Sequence, residues 1–162
     1  MRVWLTDWQV GEDRILVRMG DVVDWTLFEA DRDWLTRLFE DRVTVEWQLD
    51  TYGDATEQPT RRVHGKVVDL QSVRCREVTT REGRVPRTGE AQLCAIEDTS
   101  GSWERRTTAT MHGKEHSTNG LDYSGSYSSA IQSDELDATY GYVVTLKLRD
   151  DLEKTRNNER NG

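Results

Sequence analysis

Apolar side chains alternate with polar ones in four separate stretches of this 162-residue chain. A period of two is the geometry of a pleated strand with one buried face. In RVTVEWQLD, Val43, Val45, Trp47 and Leu49 share one face while Thr44, Glu46 and Gln48 take the other. GDVVDWTL places Val23, Trp25 and Leu27 together, and TYGYVVTLKLR aligns Tyr140, Tyr142, Val144, Leu146 and Leu148. VHGKVVDLQSVRC is strand-like but less regular, with Gly65 marking a bulge or sharp bend. RVWL, RILVR, QLCAI and WERRTTAT are shorter candidates, giving about eight strands in all.

One stretch follows a helical period instead. In DRDWLTRLFEDR, Asp31 is placed to accept backbone N–H bonds from the first turn, and Trp34, Leu35, Leu38 and Phe39 form an apolar stripe. This helix plugs one end of a barrel or packs across a sheet. The expectation is therefore a mainly β (α+β) domain. It is a small, strongly bent antiparallel barrel or barrel-like sheet with one short amphipathic helix near residues 32–40. Turns fall at Met19-Gly20-Asp21, Tyr52-Gly53-Asp54, Glu82-Gly83 and Ser100-Gly101. Residues 111–137 are polar and rich in Ser and Gly, which reads as a long loop, and residues 150–162 have little to bury, which reads as a disordered tail. The single domain then spans residues 1–149.

Several of these segments, WQ at 8–9, GDVVDWTL at 20–27, ADRDWL at 30–35, VHGKVVDLQSVRC at 63–75 and YGYVVTL at 140–146, carry a resemblance. The chain resembles a family of small actinobacterial proteins known only as a domain of unknown function, over residues 3–75 and 140–146. The resemblance implies a single bacterial cytosolic domain and brings no activity, cofactor or catalytic residue with it.

Charge is distributed unevenly over the net −8. Residues 1–60 hold 6 Lys/Arg against 14 Asp/Glu, whereas residues 61–87 hold 8 against 3. The acidic total disfavours nucleic acid as a partner, and no aromatic residue interleaves the basic stretch to stack on bases. Alternation sets Arg74 and Arg76 on one face and Cys75 on the other, with Lys66 joining the arginines only if no bulge intervenes. As a functional surface these cations bind an anion or a single strand; as plain structure they balance the acidic first third.

No apolar run suits a signal sequence or a membrane span, so the reading is cytoplasmic, with Cys75 and Cys94 as reduced thiols. HGKEH at 112–116 matches a zinc motif in which two histidines one helical turn apart grip the metal. Its flanks, TTATM and STNG, do not favour a helix. On a strand, His112 and His116 would lie about 13 Å apart at about 3.3 Å per residue. His112, Glu115 and His116 are therefore weak metal candidates, read as loop residues, and no cofactor is expected.

Of six tryptophans, Trp25, Trp34 and Trp47 fall on core-facing patterns. Trp8, beside Gln9, breaks the strand pattern before a turn, and Trp103 follows a Ser-Gly turn. Exposed aromatics beside polar groups suit a ligand groove, although packing is the plainer reading of Trp8. The candidate binding residues are Trp8, Gln9, Trp103, Arg74 and Arg76, with no catalytic set. The expected function is a non-enzymatic cytosolic binding module for a small molecule or a protein. The alternatives are a hydrolase with its site in 111–137 and a single-stranded nucleic-acid or phosphate binder through 61–87.

Overall fold

The computed structural model describes residues 1–49, 60–81, 83–102 and 137–149. The chain runs through β1 (Arg2–Thr6), α1 (Asp7–Glu12), β2 (Val22–Glu29), α2 (Arg32–Phe39) and β3 (Trp47–Gln48). It continues through β4 (Thr60–Thr80), β5 (Gly83–Pro86), β6 (Gln92–Ala95) and β7 (Asp137–Leu148). All seven strands join one sheet in the order β2-β3-β1-β7-β4-β5, with β6 also on β4. A further pairing of β2 with β4 closes five of the strands into a ring. The ring is thin at β3, which contributes two residues, and the β1–β3 pair is parallel where an antiparallel sheet was expected.

β4 makes the ring possible. Its first third pairs with β2, its middle with β7 on the other edge and with β6, and its end with β5. The ladder to β7 slips between Val67 and Asp69, leaving Val68 as an extra residue. A bulge of this kind reverses which residues face which side. Val63 and Val67 point into the ring before it, Leu70 after it, and Val73 and Cys75 now point outward. The bulge expected at Gly65 lies three residues later. Gly65 is instead squeezed between Val23 and Leu148, with the Lys147 carbonyl 3.0 Å from where a Cβ would stand.

Two apolar layers follow from this alternation. Inside the ring are Val3, Leu5, Val10, Leu27, Leu70, Val144 and Leu146. Outside it, Trp4, Val73, Cys75 and Val143 are covered by Leu35, Leu38 and Phe39 of α2. So α2 packs across the outer face rather than plugging the ring. Asp31 caps it, accepting the Trp34 N–H at 2.9 Å.

A second helix, α1, lies at the end of the ring where β1 finishes, and a single helix had been expected. Thr6 caps it, accepting the Gln9 N–H at 3.3 Å, and Val10 enters the inner layer. RVTVEWQLD does not keep a single apolar face: Val43 and Val45 pack in the outer layer whereas Trp47 and Leu49 pack against the inner one, and only Trp47 and Gln48 form a ladder. RILVR likewise packs Ile15 and Val17 on the inner layer without forming a strand.

Tyr140 departs from its predicted face. The ladder slips again between Val73 and Arg74, opposite Gly141 and Thr139, and Tyr140 is the extra residue. It leaves the inner row of Tyr142, Val144 and Leu146 and stacks beside Trp34, with ring centroids 5.8 Å apart. Its hydroxyl donates to Glu77 Oε1 at 2.9 Å. Burial, reinforced by that carboxylate, holds its pKa well above the ordinary phenol range.

Two expectations about stability follow. Gly141 lies under Trp4: a Cβ there would stand 2.3 Å from the Leu5 carbonyl and 2.6 Å from the indole ring. Gly141→Ala is expected to cost about 3 kcal/mol or more, read by urea denaturation. Trp4 is 1% exposed and meets Phe39 edge-on at 6.3 Å, whereas Trp47 is half-buried beneath the Arg61 guanidinium. Trp4→Ala should therefore cost about 3–5 kcal/mol and Trp47→Ala clearly less; equal losses would refute this layering.

Candidate functional site

The end of the ring beside α1 opens into a depression of about 580 Å³. Reading outward along β4 from Leu70, the inward-facing positions are Ser72 and then Arg74, so the bulge at Val68 is what brings Arg74 to this mouth. Had β4 kept its initial phase, Arg74 would stand on the other face and Lys66 beside it. The slip separates them, and Lys66 faces out from the ring. Arg76, two residues further, lies on the same side as Arg74 and is exposed, while Cys75 is buried in the outer layer.

Tyr142 forms part of the floor and Thr139 part of the rim, on the strand paired with Ser72 and Arg74. The Tyr142 hydroxyl donates to Asp7 Oδ1 at 3.0 Å, tying the floor to the first turn of α1. Ser102 donates from Oγ to the Asp7 carbonyl at 3.0 Å. Gly101 and Ala138 both line the mouth, so the chain leaves and rejoins the described fold at this end.

The opposite wall holds Ile96 and Asp98. Thr99 fixes it: buried, it accepts the Val17 N–H at 3.0 Å and donates to the Ile15 carbonyl at 2.7 Å. Met19 N–H bonds the Glu97 carbonyl and Arg18 bridges Asp98, so residues 15–19 brace residues 97–99. Ser100 donates to Asp98 Oδ1 from its hydroxyl at 2.5 Å and from its backbone N–H at 3.0 Å. Those bonds, with Arg18 adding a smaller attraction, hold the Asp98 carboxyl below the usual aspartate value. The mouth thus presents a cation, a carboxylate kept ionised, hydroxyls and an apolar floor.

The predicted binding residues are distributed differently. Trp8 is 43% exposed on α1, as expected of it, but its neighbour Gln9 is 4% exposed. Gln9 turns inward, where Nε2 donates to the Leu49 carbonyl at 3.3 Å and holds the chain after β3. Its side chain is buried rather than set beside the exposed Trp8. Trp103, His112, Glu115 and His116 lie outside the described residues. Among those that are described, no three His, Cys, Asp or Glu side chains gather as metal ligands. Both cysteines are thiols, with Cys75 Sγ donating to the Arg87 carbonyl at 3.3 Å.

Several of the basic residues are engaged. Arg62 grips Asp24 at 2.9 Å, Arg61 stacks on Trp47, and Arg84 and Arg87 approach Glu77 and Glu90. The Asp24 carboxyl is lowered by the hydrogen bond from Arg62. Only one of these partners, Asp24, is an acid of the first sixty residues; the others are local. Tyr142, Ser72, Thr139 and Asp98 were not singled out beforehand. Tyr142 had a signal in its inward alternation, whereas Asp98 depends on a brace between residues about eighty positions apart.

Asp98 gives a measurable sign. Its folded-state pKa lies below 3.8, so its contribution to stability is complete above the unfolded value and is lost as pH falls through the folded one. NMR titration of the Asp98 carboxyl should give a midpoint below 3.8, and Ser100→Ala should raise it. An unchanged midpoint in that variant would place the cause elsewhere.

No helix among the described residues is long and apolar enough to cross a membrane. No curated protein and no solved structure matches the chain. A family model does, over residues 1–148, from the start of the chain to the last residue of β7. The chain therefore belongs to that family, a family of unknown function (DUF6578).

Proposed function

We propose that this protein is a non-enzymatic binding module whose ring mouth takes a small anionic molecule. One observation carries the reading: the Val68 bulge turns Arg74 into a depression that Tyr142 and Ile96 also line and whose far wall holds the ionised Asp98. A volume of about 580 Å³ suits a metabolite-sized ligand. The guanidinium fits a carboxylate or phosphate group by its paired donors. Asp98 and Thr139 suit an ammonium or hydroxyl on the same molecule, and Tyr142 and Ile96 offer contact to its carbon skeleton.

The cellular setting in this reading is the cytoplasm of an actinobacterium, in a single domain over residues 1–149 followed by a tail over 150–162. The sequence resemblance supports the setting, and the family match over residues 1–148 supports the single domain. Nucleic acid is disfavoured by the net charge of −8 and by the engagement of Arg61 and Arg62 with Trp47 and Asp24.

A thermal-shift screen of amino acids, dicarboxylates and sugar phosphates tests this. A true ligand at about a hundred times its Kd stabilises by about 2.7 kcal/mol, a clear rise in Tm. The rise should vanish in Arg74→Ala, with the unliganded Tm nearly unchanged because the residue is exposed. Ligands that stabilise Arg74→Ala as strongly as the parent protein would overturn the assignment.

A further inference from the structure

A second groove, of about 710 Å³, runs between the last turn of α2 and the β4–β5 hairpin, and it shares no lining residue with the mouth. Its floor is apolar. Val78 and Val85 face each other across the hairpin, and Pro86 follows them. Its rim is cationic, with Arg37 from α2, Arg81 from the hairpin turn and Arg87 from the strap that returns to the helix. Among the described lining residues Glu90 is the one carboxylate, 3.7 Å from Arg87.

Hydrogen bonds to main-chain carbonyls hold this shape. Gly89 N–H bonds the Arg37 carbonyl at 2.8 Å, Arg87 N–H bonds the Arg76 carbonyl at 2.9 Å, and the Arg42 guanidinium donates to the Ala91 carbonyl at 3.0 Å. Gly89 has φ +73 and meets the Glu40 carboxylate where a Cβ would stand, so the strap comes close to the helix end only with glycine there. A strap fixed in advance spends little backbone ordering entropy on binding.

We propose that this groove docks an acidic peptide segment of a partner protein, one apolar side chain resting on the valines between flanking carboxylates. Charge complementarity selects the occupant. Three arginines against one glutamate form a positive patch on a molecule of net charge −8, so an acidic chain is repelled elsewhere and steered here. A nucleic-acid strand would find no aromatic residue for its bases among the described residues that line the groove. A bare phosphate would use the rim and leave the apolar floor in water.

Fluorescence anisotropy of the full chain with a labelled hexapeptide, Glu-Asp-Leu-Val-Asp-Glu, tests this. Saturable binding is expected, weakening as salt screens the rim. Arg37→Glu with Arg81→Glu should lower affinity at least about ten-fold, equivalent to about 1.4 kcal/mol. Replacing the peptide's Leu and Val by Ser should weaken it comparably. Arg74→Ala should leave it unchanged, which separates this groove from the ring mouth. Both rim arginines are exposed; should the double reversal fail to melt cooperatively, the neutral pair Arg37→Gln and Arg81→Gln reads the same effect. The inference is overturned by no saturable binding, by equal binding to the rim variants, or by inorganic phosphate or an oligonucleotide binding more tightly at these arginines.

Discussion

The antiparallel pairing of β4 with β7 supports both layers of the molecule, because each strand changes face partway along it. In a strand without a slip, every second residue stays on the same face from end to end. Here Val68 on β4 and Tyr140 on β7 are extra residues, and each shifts the row that follows. β4 can therefore place Val63 and Val67 inside the ring, then Leu70, and still hold Val73 and Cys75 against α2. β1 serves both layers without a slip, Val3 and Leu5 inward and Trp4 outward, so the two cores share a wall one strand thick.

That shared wall also organises the polar chemistry. The inward row of β4 runs out of apolar residues after Leu70 and continues as Ser72 and Arg74, which is where the ring opens. At the same end α1 brings Asp7 to Tyr142, and the brace around Thr99 brings Asp98 to the far wall. On the outer side, β4 continues past the ring into the hairpin with β5, whose strap returns to the end of α2. Two unlike surfaces thus grow from one strand, a small mouth with charges of both signs and a broad cationic trough over valines.

Much of this was legible from the residues. The alternation in GDVVDWTL and the stripe and cap of α2 rest on local periodicity and local hydrogen bonding, and both came through with their faces correct. α1 was missed although Thr6-Asp7-Trp8-Gln9 has the spacing of a capping box. Six residues with one inward Val10 are too few to show a helical period. Where the slips fall could not be read, since a bulge is fixed by the partner strand and leaves no mark on its own sequence. Tyr140 went to the wrong face for that reason, and Lys66 could be grouped with Arg74 only conditionally. The candidate mouth suffered most, because Arg74, Asp98 and Tyr142 meet through tertiary braces. Gln9 turns inward while its neighbour Trp8 is exposed, because adjacent helical residues point in different directions.

The ring has a consequence for the order in which the molecule is made. β7 is the wall between β1 and β4, yet it is the last of the described strands, and the Met1 amino group bonds the Leu146 carbonyl 145 positions away. On the ribosome, β1, β2 and most of β4 emerge while the partner that completes both layers does not yet exist. Trp4, Leu5, Val67 and Leu70 must wait with their apolar faces uncovered. Contacts so distant in sequence close slowly, and a nascent chain in this state exposes strand edges to its neighbours. The long interval before residue 137 therefore prolongs the period in which a truncated or stalled product is prone to aggregate, and it makes the final dozen residues of the sheet the step that commits the whole domain.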